Sequence, residues 1–235
     1  MLGAALAGFI GAWVLALVVP LAYVRLSLAL HELMHVRPAS RVSWFHRLAM
    51  IFDTPLGLGY REHRATHLAH HRHAGTTRDP ELYQIRGSHL RAFAFAMISP
   101  EYAAVTFVRR HGVTRVLARE ACARATLFVL LVAWNPAMFA CYWVVLRACI
   151  GASSFVFHHL LHSQGGRLGH YDLPPAVQRA LPLAQALFGL EPVIIVRDHR
   201  RHHAAPGVRA RDLPAVAEGA VPVGSPVGAP GWARP

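Results

Sequence analysis

The chain begins with an unbroken apolar run: residues 1 to 24, MLGAALAGFIGAWVLALVVPLAYV, carry no charged side chain. At about 1.5 Å of rise per residue, a helix of that length crosses the roughly 30 Å hydrocarbon core of a bilayer. Pro20 is a candidate kink. After Arg25 comes SLALHELMH, which puts residues 31 to 35 at or just beyond the end of the helix, where it meets water. A second uncharged run, ATLFVLLVAWNPAMFACYWVVL, fills residues 125 to 146 and has the turn signal Asn135-Pro136 at its middle. Two readings compete. One is a single span kinked at Pro136; the other is a hairpin of helices over roughly 115–134 and 136–162. The hairpin places Arg147 inside its second helix, where an arginine must find a cavity or a partner, or snorkel.

The remaining segments are too interrupted to span. WFHRLAMIFDTPLGLGY, residues 44 to 60, is apolar but broken by charge, Pro and Gly, which suits an interfacial segment. The apolar piece between Arg91 and Arg109 is broken by Pro100 and Glu101, so a full crossing there is disfavoured. Residues 173 to 196 hold Pro174, Pro175, Pro182 and Pro192 with Arg179 and Glu191, and read as amphipathic or re-entrant. From about Ala204 the chain turns to Pro, Gly, Ala and Val without a period, and disorder is expected over residues 218–235. The pattern predicts an all-α integral membrane helical protein. Its body would be residues 1–203, followed by an extension over 204–217.

Composition strengthens that picture. Of 235 residues, 54% are hydrophobic and 15% charged, with a mean hydropathy of +0.32, too apolar for an ordinary soluble domain. The net charge is +12 and all 24 basic residues are Arg. They lie between the apolar runs, at 37–47, 61–91, 109–124 and 197–211, not on a polar domain with a stacking motif. That favours positive-inside loops at an anionic membrane surface over nucleic acid. Cys122, Cys141 and Cys149 show no metal-like spacing and read as small buried hydrophobes. The N-terminus has neither a basic n-region nor a small-residue cleavage site, so a signal peptide is not expected.

The candidate chemistry is in the histidines, 17 in all. His31 and His35 stand at i, i+4 in HELMH; His67, His70 and His71 at i, i+3, i+4 in HLAHH; His199, His202 and His203 repeat that spacing in HRRHH; FHHLLH adds His158 and His162. On helices these spacings put imidazoles one turn apart, where they can converge on a metal. A metal-buffering tract would cluster in one segment, whereas these recur on four. His46, His89, His111 and His170 read as ordinary single histidines. HELMH also fits the HExxH zinc-protease signature, with Glu32 as base. A catalytic zinc, however, needs three protein ligands and an open position. Eight or more convergent imidazoles suit two ions of higher coordination, iron among them. Asp53, Asp79, Asp172, Asp198 and Asp212 all lie in polar or loop-like contexts, and none sits in an apolar helix as the later ligand of an intramembrane protease would.

In the order HxxxH, HxxHH and a late HxxHH, the chain resembles the membrane fatty acid desaturase family. The first two boxes begin 36 residues apart, and 128 residues separate His71 from His199, both ordinary for that family. The flanks HHRHAGTTRDPE and HHAAPGVRARDLPAV are similar to the family's as well. The likeness covers residues 10 to 217. Many members have a two-helix hairpin before the first box. Here about 30 residues precede it, so the chain is either abbreviated or its start is placed too late. The resemblance implies two iron ions held by His31, His35, His67, His70, His71, His162, His199, His202 and His203, with His158 near the second ion and dioxygen as co-substrate. It further implies a lipid substrate drawn from the membrane, electrons from a ferredoxin or cytochrome, and no nucleic acid. The location implied is a bacterial inner membrane with the boxes on the cytoplasmic side. Because all boxes must share one side, the hairpin at Asn135-Pro136 is preferred to a single span. Glu32, Glu62, Asp79 and Asp198 are the candidates to accept the other N–H of metal-bound imidazoles, with Asp79 favoured because the DP after the second box is similar to the family's. Desaturation of a fatty acyl chain is the expected reaction; hydroxylation or ketolation of a lipid, carotenoid or alkane would use the same ligands. A zinc protease and a non-catalytic metal-binding membrane protein are the remote readings.

Overall fold

The computed structural model describes residues 2–36, 54–162 and 173–216, with side chains from residue 11 onward. Most of the expected interfacial segment, His46, His170, Asp53, Asp172 and the tail 218–235 lie outside the described residues. What is described is helical. The elements are α1 (Leu2–Val36), α2 (Tyr60–His73), α3 (Leu82–Ile85), α4 (His89–Met97), α5 (Ser99–His111), α6 (Arg115–Trp134), α7 (Pro136–Ser154), α8 (Pro175–Phe188), α9 (Leu190–Arg197) and α10 (His199–Ala204). A π-helical turn, Phe155–Leu160, extends α7, and a 3-10 turn, Ala210–Ala215, follows α10.

HELMH lies at the end of the first helix, as its spacing from the apolar run suggests: α1 runs through Pro20 and Arg25 to Val36 and carries the whole of HELMH. The reason is local. SLALHELMH is made mostly of good helix formers with no Gly or Pro, so nothing terminates the helix at the first charge.

At Asn135-Pro136 the chain makes the hairpin. Asn135 caps α7, its side-chain oxygen accepting from Met138 N at 3.0 Å, and Pro136 takes the first helical position, where its missing N–H costs nothing. Among the described residues, two helical stretches are long and apolar enough to cross a membrane, Gly11–His35 and Pro136–Leu160. Trp13, Leu17 and Val18 on α1 and Val144 on α7 are exposed, as are Val129 and Leu130 on the neighbouring α6.

α1 and α7 pack side by side and run in the same direction. A Cβ at Gly11 would come within 2.8 Å of Met138 Cε, so the two starts approach closely. Further along, Tyr23 hydroxyl and Ser153 hydroxyl share a hydrogen bond of 2.8 Å. Both helices therefore finish at the same end. α6 runs back against α7, with Phe128 edge-on to Phe139 and Trp143 at 5.6 and 5.5 Å. Its start is thereby returned to the end where α1 finishes, and there Thr114 donates to Glu62 Oε1 at 3.0 Å. The buried Arg124 of α6 donates to the Gly57 carbonyl.

Residues 91 to 109 do not cross. They form α4 and α5, broken at Ile98 by Pro100 in the first turn of α5. This arrangement also resolves Arg147. Its guanidinium donates to Met97 O at 3.0 Å and to both oxygens of Glu101, one at 2.9 Å, and it lies over the Trp143 ring at 4.3 Å. Residues 173 to 196 also fall short of a span. α8 and α9 have 14 and 8 residues and are separated by Gly189 at φ +94°, a left-handed conformation open to glycine at no steric cost. α9 packs on the 3-10 turn through Ile194, Ile195, Ala210 and Leu213, so the 204–217 extension is part of the packed body as far as it is described.

The ion pair yields a stability prediction. Arg147→Met and Glu101→Gln each strip a charge of its partner, and each is expected to cost about 1–3 kcal/mol. The double variant should lose less than the two single losses combined. Thermal unfolding in detergent measures the cycle, and additive losses would show that the pair is not coupled.

Candidate metal centre

Helix geometry decides where each imidazole points. Residues i and i+4 share a face, but neighbours in sequence stand about 100° apart around a helix of 3.6 residues per turn. The doublet at the end of HxxHH must therefore split. On α2, His67 and His71 point one way and His70 another; on α10, His202 and His203 diverge in the same manner. The histidines consequently assemble as two groups. His31, His35, His67, His71 and His202 form the first, and His70, His162 and His203 the second, the ligand atoms of each group lying within 4.8 Å of one another. The groups adjoin through His71 and His203, whose ring centroids are 4.2 Å apart.

The ring nitrogens face inward. His35 Nε2 lies 3.0 Å from His67 Nε2, which lies 3.1 Å from His71 Nε2; His162 Nε2 lies 3.1 Å from His203 Nε2. With imidazole–metal bonds of about 2.0–2.1 Å, two ligands at right angles stand about 3.0 Å apart, and tetrahedral ones about 3.4 Å. These separations are of the order expected between ligands of one ion. Both ring nitrogens of the buried His202 lack a hydrogen-bond partner, as do Nδ1 of His31, His35 and His71. Unpaired buried polar atoms of this kind cost about 1–3 kcal/mol each, a cost that coordination offsets at the nitrogens turned to an ion. The donor set fits metal ions.

Electrostatics keeps most of these rings in the ligand form. Burial, reinforced by neighbouring imidazoles, pulls His67, His71, His202 and His203 well below the ordinary histidine range, and pushes His162 down to about 3. His70 goes the other way. Burial opposes its charge, but the Glu81 carboxylate and the Asp79 hydrogen bond outweigh burial and raise it. Asp79 takes His70 Nδ1 at 3.1 and 3.0 Å through its two oxygens, so Nδ1 carries the proton and Nε2 remains for a metal. Asp79 is itself fixed by the backbone N–H groups of Gly75 and Glu81, at 2.9 and 2.8 Å.

The other sequence-predicted residues fall as follows. His162 Nδ1 donates to Phe157 O at 2.9 Å, a contact made by the π-helical turn, which leaves Nε2 toward His203. His199 is buried beside the second group, its ring 4.9 Å from His162 and 4.8 Å from His203, without joining the convergent set. His158 stands outside both groups. Its Nε2 meets Glu81 Oε2 at 2.9 Å and its Nδ1 meets Ser154 O at 3.3 Å, so both nitrogens face acceptors. His159 turns elsewhere again, to Ile85 O and His89. Glu32 accepts from Ala210 N at 2.8 Å, and Asp198 accepts from Arg197 and Arg201. Glu32 is thus engaged structurally where a protease would need it as base.

Glu81 escaped sequence reasoning. It is buried, lies 3.6 Å from His70 Nδ1, and is held well below the carboxylate range because His158 and His70 outweigh the opposing effect of burial. The signal was the DPE triplet: Asp79 caps a turn in which residue i+2 returns to the same side.

A family model described as fatty acid desaturase matches residues 7–232. The chain belongs to the fatty acid desaturase family. No curated protein and no solved structure matches it. Membership in the fatty acid desaturase family makes the chain an oxidoreductase of the desaturase or hydroxylase type, acting on lipids, in a membrane-associated family known to use two irons.

The buried rings set a pH dependence for protein stripped of metal by a chelator. His67, His71, His162, His199, His202 and His203 take up protons near 6.5 when unfolded but only at lower pH when folded. The unfolded state thus binds more protons below pH 6.5, and stability falls as the pH falls, for His162 down to about pH 3. His70 has the opposite sign, its contribution being lost as the pH rises, but it stands alone against six. A lower melting temperature at pH 5 than at pH 8 is expected; the reverse would mean that the rings are solvated.

Proposed function

We propose that this protein is an integral membrane di-iron enzyme that introduces a carbon–carbon double bond into a fatty acyl chain. The observation that carries the reading is the pair of adjoining histidine groups at the shared end of two apolar helices. His31, His35, His67, His71 and His202 would hold one iron, and His70, His162 and His203, with His199 beside them, the other. When bound, the irons supply the activation of dioxygen. The protein's part is to keep most of the rings neutral, to fix His70 through Asp79 and His162 through Phe157 O, and to bury the site away from water.

The overall reaction balances as one dioxygen, two electrons, two protons and a saturated –CH2–CH2– unit giving –CH=CH– and two waters. The electrons would come from a ferredoxin or cytochrome. α1 and the α6–α7 hairpin would cross the bilayer, with the histidine end on the Arg-rich, cytoplasmic side of a bacterial inner membrane. In support, the turn Trp134–Met138 at the opposite end carries no charge, and Trp134 is exposed there, as suits a membrane interface.

Metal content of detergent-purified protein gives the first test. About two irons per chain are expected from this ligand set, about one in His162→Gln, fewer than two in His71→Ala, and still about two in His158→Gln. One zinc per chain, retained in His71→Ala and lost on changing His31, would sink the di-iron reading.

Products decide the reaction. With a reductant, a ferredoxin, dioxygen and a saturated acyl substrate, mass spectrometry should find loss of two hydrogens and no added oxygen. An alcohol or ketone would assign hydroxylation or ketolation to the same ligands.

A further inference from the structure

Between the second box and α6 the chain makes an excursion along α7. At the start of α4, His89 Nδ1 meets His159 Nε2 at 2.7 Å. One turn on, Phe93 stands edge-on to Phe155 at 5.9 Å. Another turn on, Met97 packs so closely on Gly151 that a Cβ there would strike its sulfur. Residue numbers rise on α4 as they fall on α7, so α4 descends along α7, away from the histidine end. From His159 to Gly151 is eight residues, a descent of roughly 12 Å at about 1.5 Å per residue. The break at Ile98 and Pro100 then turns the chain. Tyr102 of α5 lies 5.1 Å from Phe95, and Ala104 and Phe107 cluster with Leu117 at the start of α6, back at the histidine end.

The carbonyls at the break are taken by the protein itself. An interrupted helix frees backbone acceptors, which at an aqueous surface solvent can satisfy. Here Met97 O accepts from Arg147 at 3.0 Å, Ile98 O from Tyr102 N–H at 3.0 Å, and Ser99 O from the Tyr83 hydroxyl at 3.1 Å. The Ser99 and Ser154 hydroxyls share a further bond of 2.9 Å. Hydrocarbon offers no hydrogen-bond partner, so irregular backbone at membrane depth has to be satisfied in this way.

The side chains follow the same rule. Between Arg91 and Arg109 the only charged residue is Glu101, and Arg147 engages both of its oxygens. Leu90 and Phe93 on α4, Ile98 at the break, and Tyr102 and Val105 on α5 are all exposed. The small residues Ala92 and Ala96 are the buried ones on α4. A helix facing water has the reverse pattern, with its large apolar side chains turned inward. Exposed arginines stand where the two limbs begin and end, Arg86 and Arg91 on one and Arg109 and Arg110 on the other. Those are the places where a guanidinium meets lipid phosphates.

We propose that α4 and α5 form a re-entrant hairpin that dips into the bilayer from the histidine side and returns without crossing, its exposed apolar face lying against lipid acyl chains. Ile98 is its deepest point, and the four arginines mark the headgroup level. The face is continuous with α7, against which α4 packs and which is itself long and apolar enough to cross. The proposal rests on the reading above that α1 and the α6–α7 hairpin cross the bilayer.

The test uses the full chain in vesicles of phosphatidylcholine and phosphatidylglycerol. Cys122, Cys141 and Cys149 are replaced by Ala, and single cysteines carry the fluorophore NBD. Ile98→Cys and Phe93→Cys are compared with Thr77→Cys, exposed near the second box, and with Val144→Cys on α7. Aqueous iodide should quench the probe at position 98 about threefold less than the probe at 77, and nitroxides high on the lipid acyl chains about threefold more. In the wild type, which needs no variant to fold, a lipid with a diazirine in its acyl chain should label residues 92–108 on irradiation. A probe at 98 as open to iodide as that at 77, or no label on that peptide, overturns the proposal. Protection from iodide without nitroxide quenching overturns it as well, because a second copy of the chain then covers the face. Any of these with position 144 quenched by the nitroxides leaves the spanning reading standing. Nitroxide quenching at 98 with position 144 open to iodide supports the hairpin and removes the spanning reading.

Discussion

Imidazoles of the two groups, drawn from residues far apart in the chain, have to converge with their ligand atoms within 4.8 Å in a buried place, and most of them have to stay uncharged there. Close-packed imidazolium rings would repel one another and lose their hydration, so burial and mutual proximity both favour the neutral form. The neutral ring is also the form that binds metal. The same packing that makes the centre costly to assemble thus prepares its nitrogens as ligands, and much of the fold serves to hold the four segments together against that cost.

Two features of helix geometry meet the requirement. α1 and α7 run in the same direction, so the first box and His162 arrive at one end, and α6 returns the chain between them. The π-helical turn then adjusts the end of α7: three histidines within five residues, His158, His159 and His162, face three different partners. π-turns within α-helices are often found at functional sites, where an extra residue per turn redirects side chains that an α-helix would align.

The carboxylates divide their labour by burial and direction. Asp79 fixes the tautomer of His70 and is itself locked by two backbone N–H groups. Glu81 couples His158 to the back of His70. Glu32, one residue from His31, is turned outward and fastens the C-terminal segment against α1. Glu101 serves a different need, giving Arg147 a partner on an otherwise apolar helix; without it that helix could not lie comfortably among apolar neighbours.

The sequence by itself determined the apolar runs and the box histidines, because these depend on hydropathy and spacing, which are local; at Asn135-Pro136 it offered a turn signal, and the hairpin followed from the need to bring all the boxes to one side. It placed HELMH at the end of α1, which finishes at Val36. It pointed to Asp79 through the likeness of the DP after the second box to the family's, and the ring that Asp79 holds, His70, lies nine residues earlier. Only the tertiary structure decided that each HH doublet is shared between two groups, that His158 turns to Glu81, that Glu32 belongs to the C-terminal wall, and that Arg147 meets Glu101. Each of these depends on which segments lie opposite one another in space, 41 residues apart for His162 and His203 and 178 for Glu32 and Ala210. Spacing along one helix fixes the direction of a side chain; it does not say what will be waiting there.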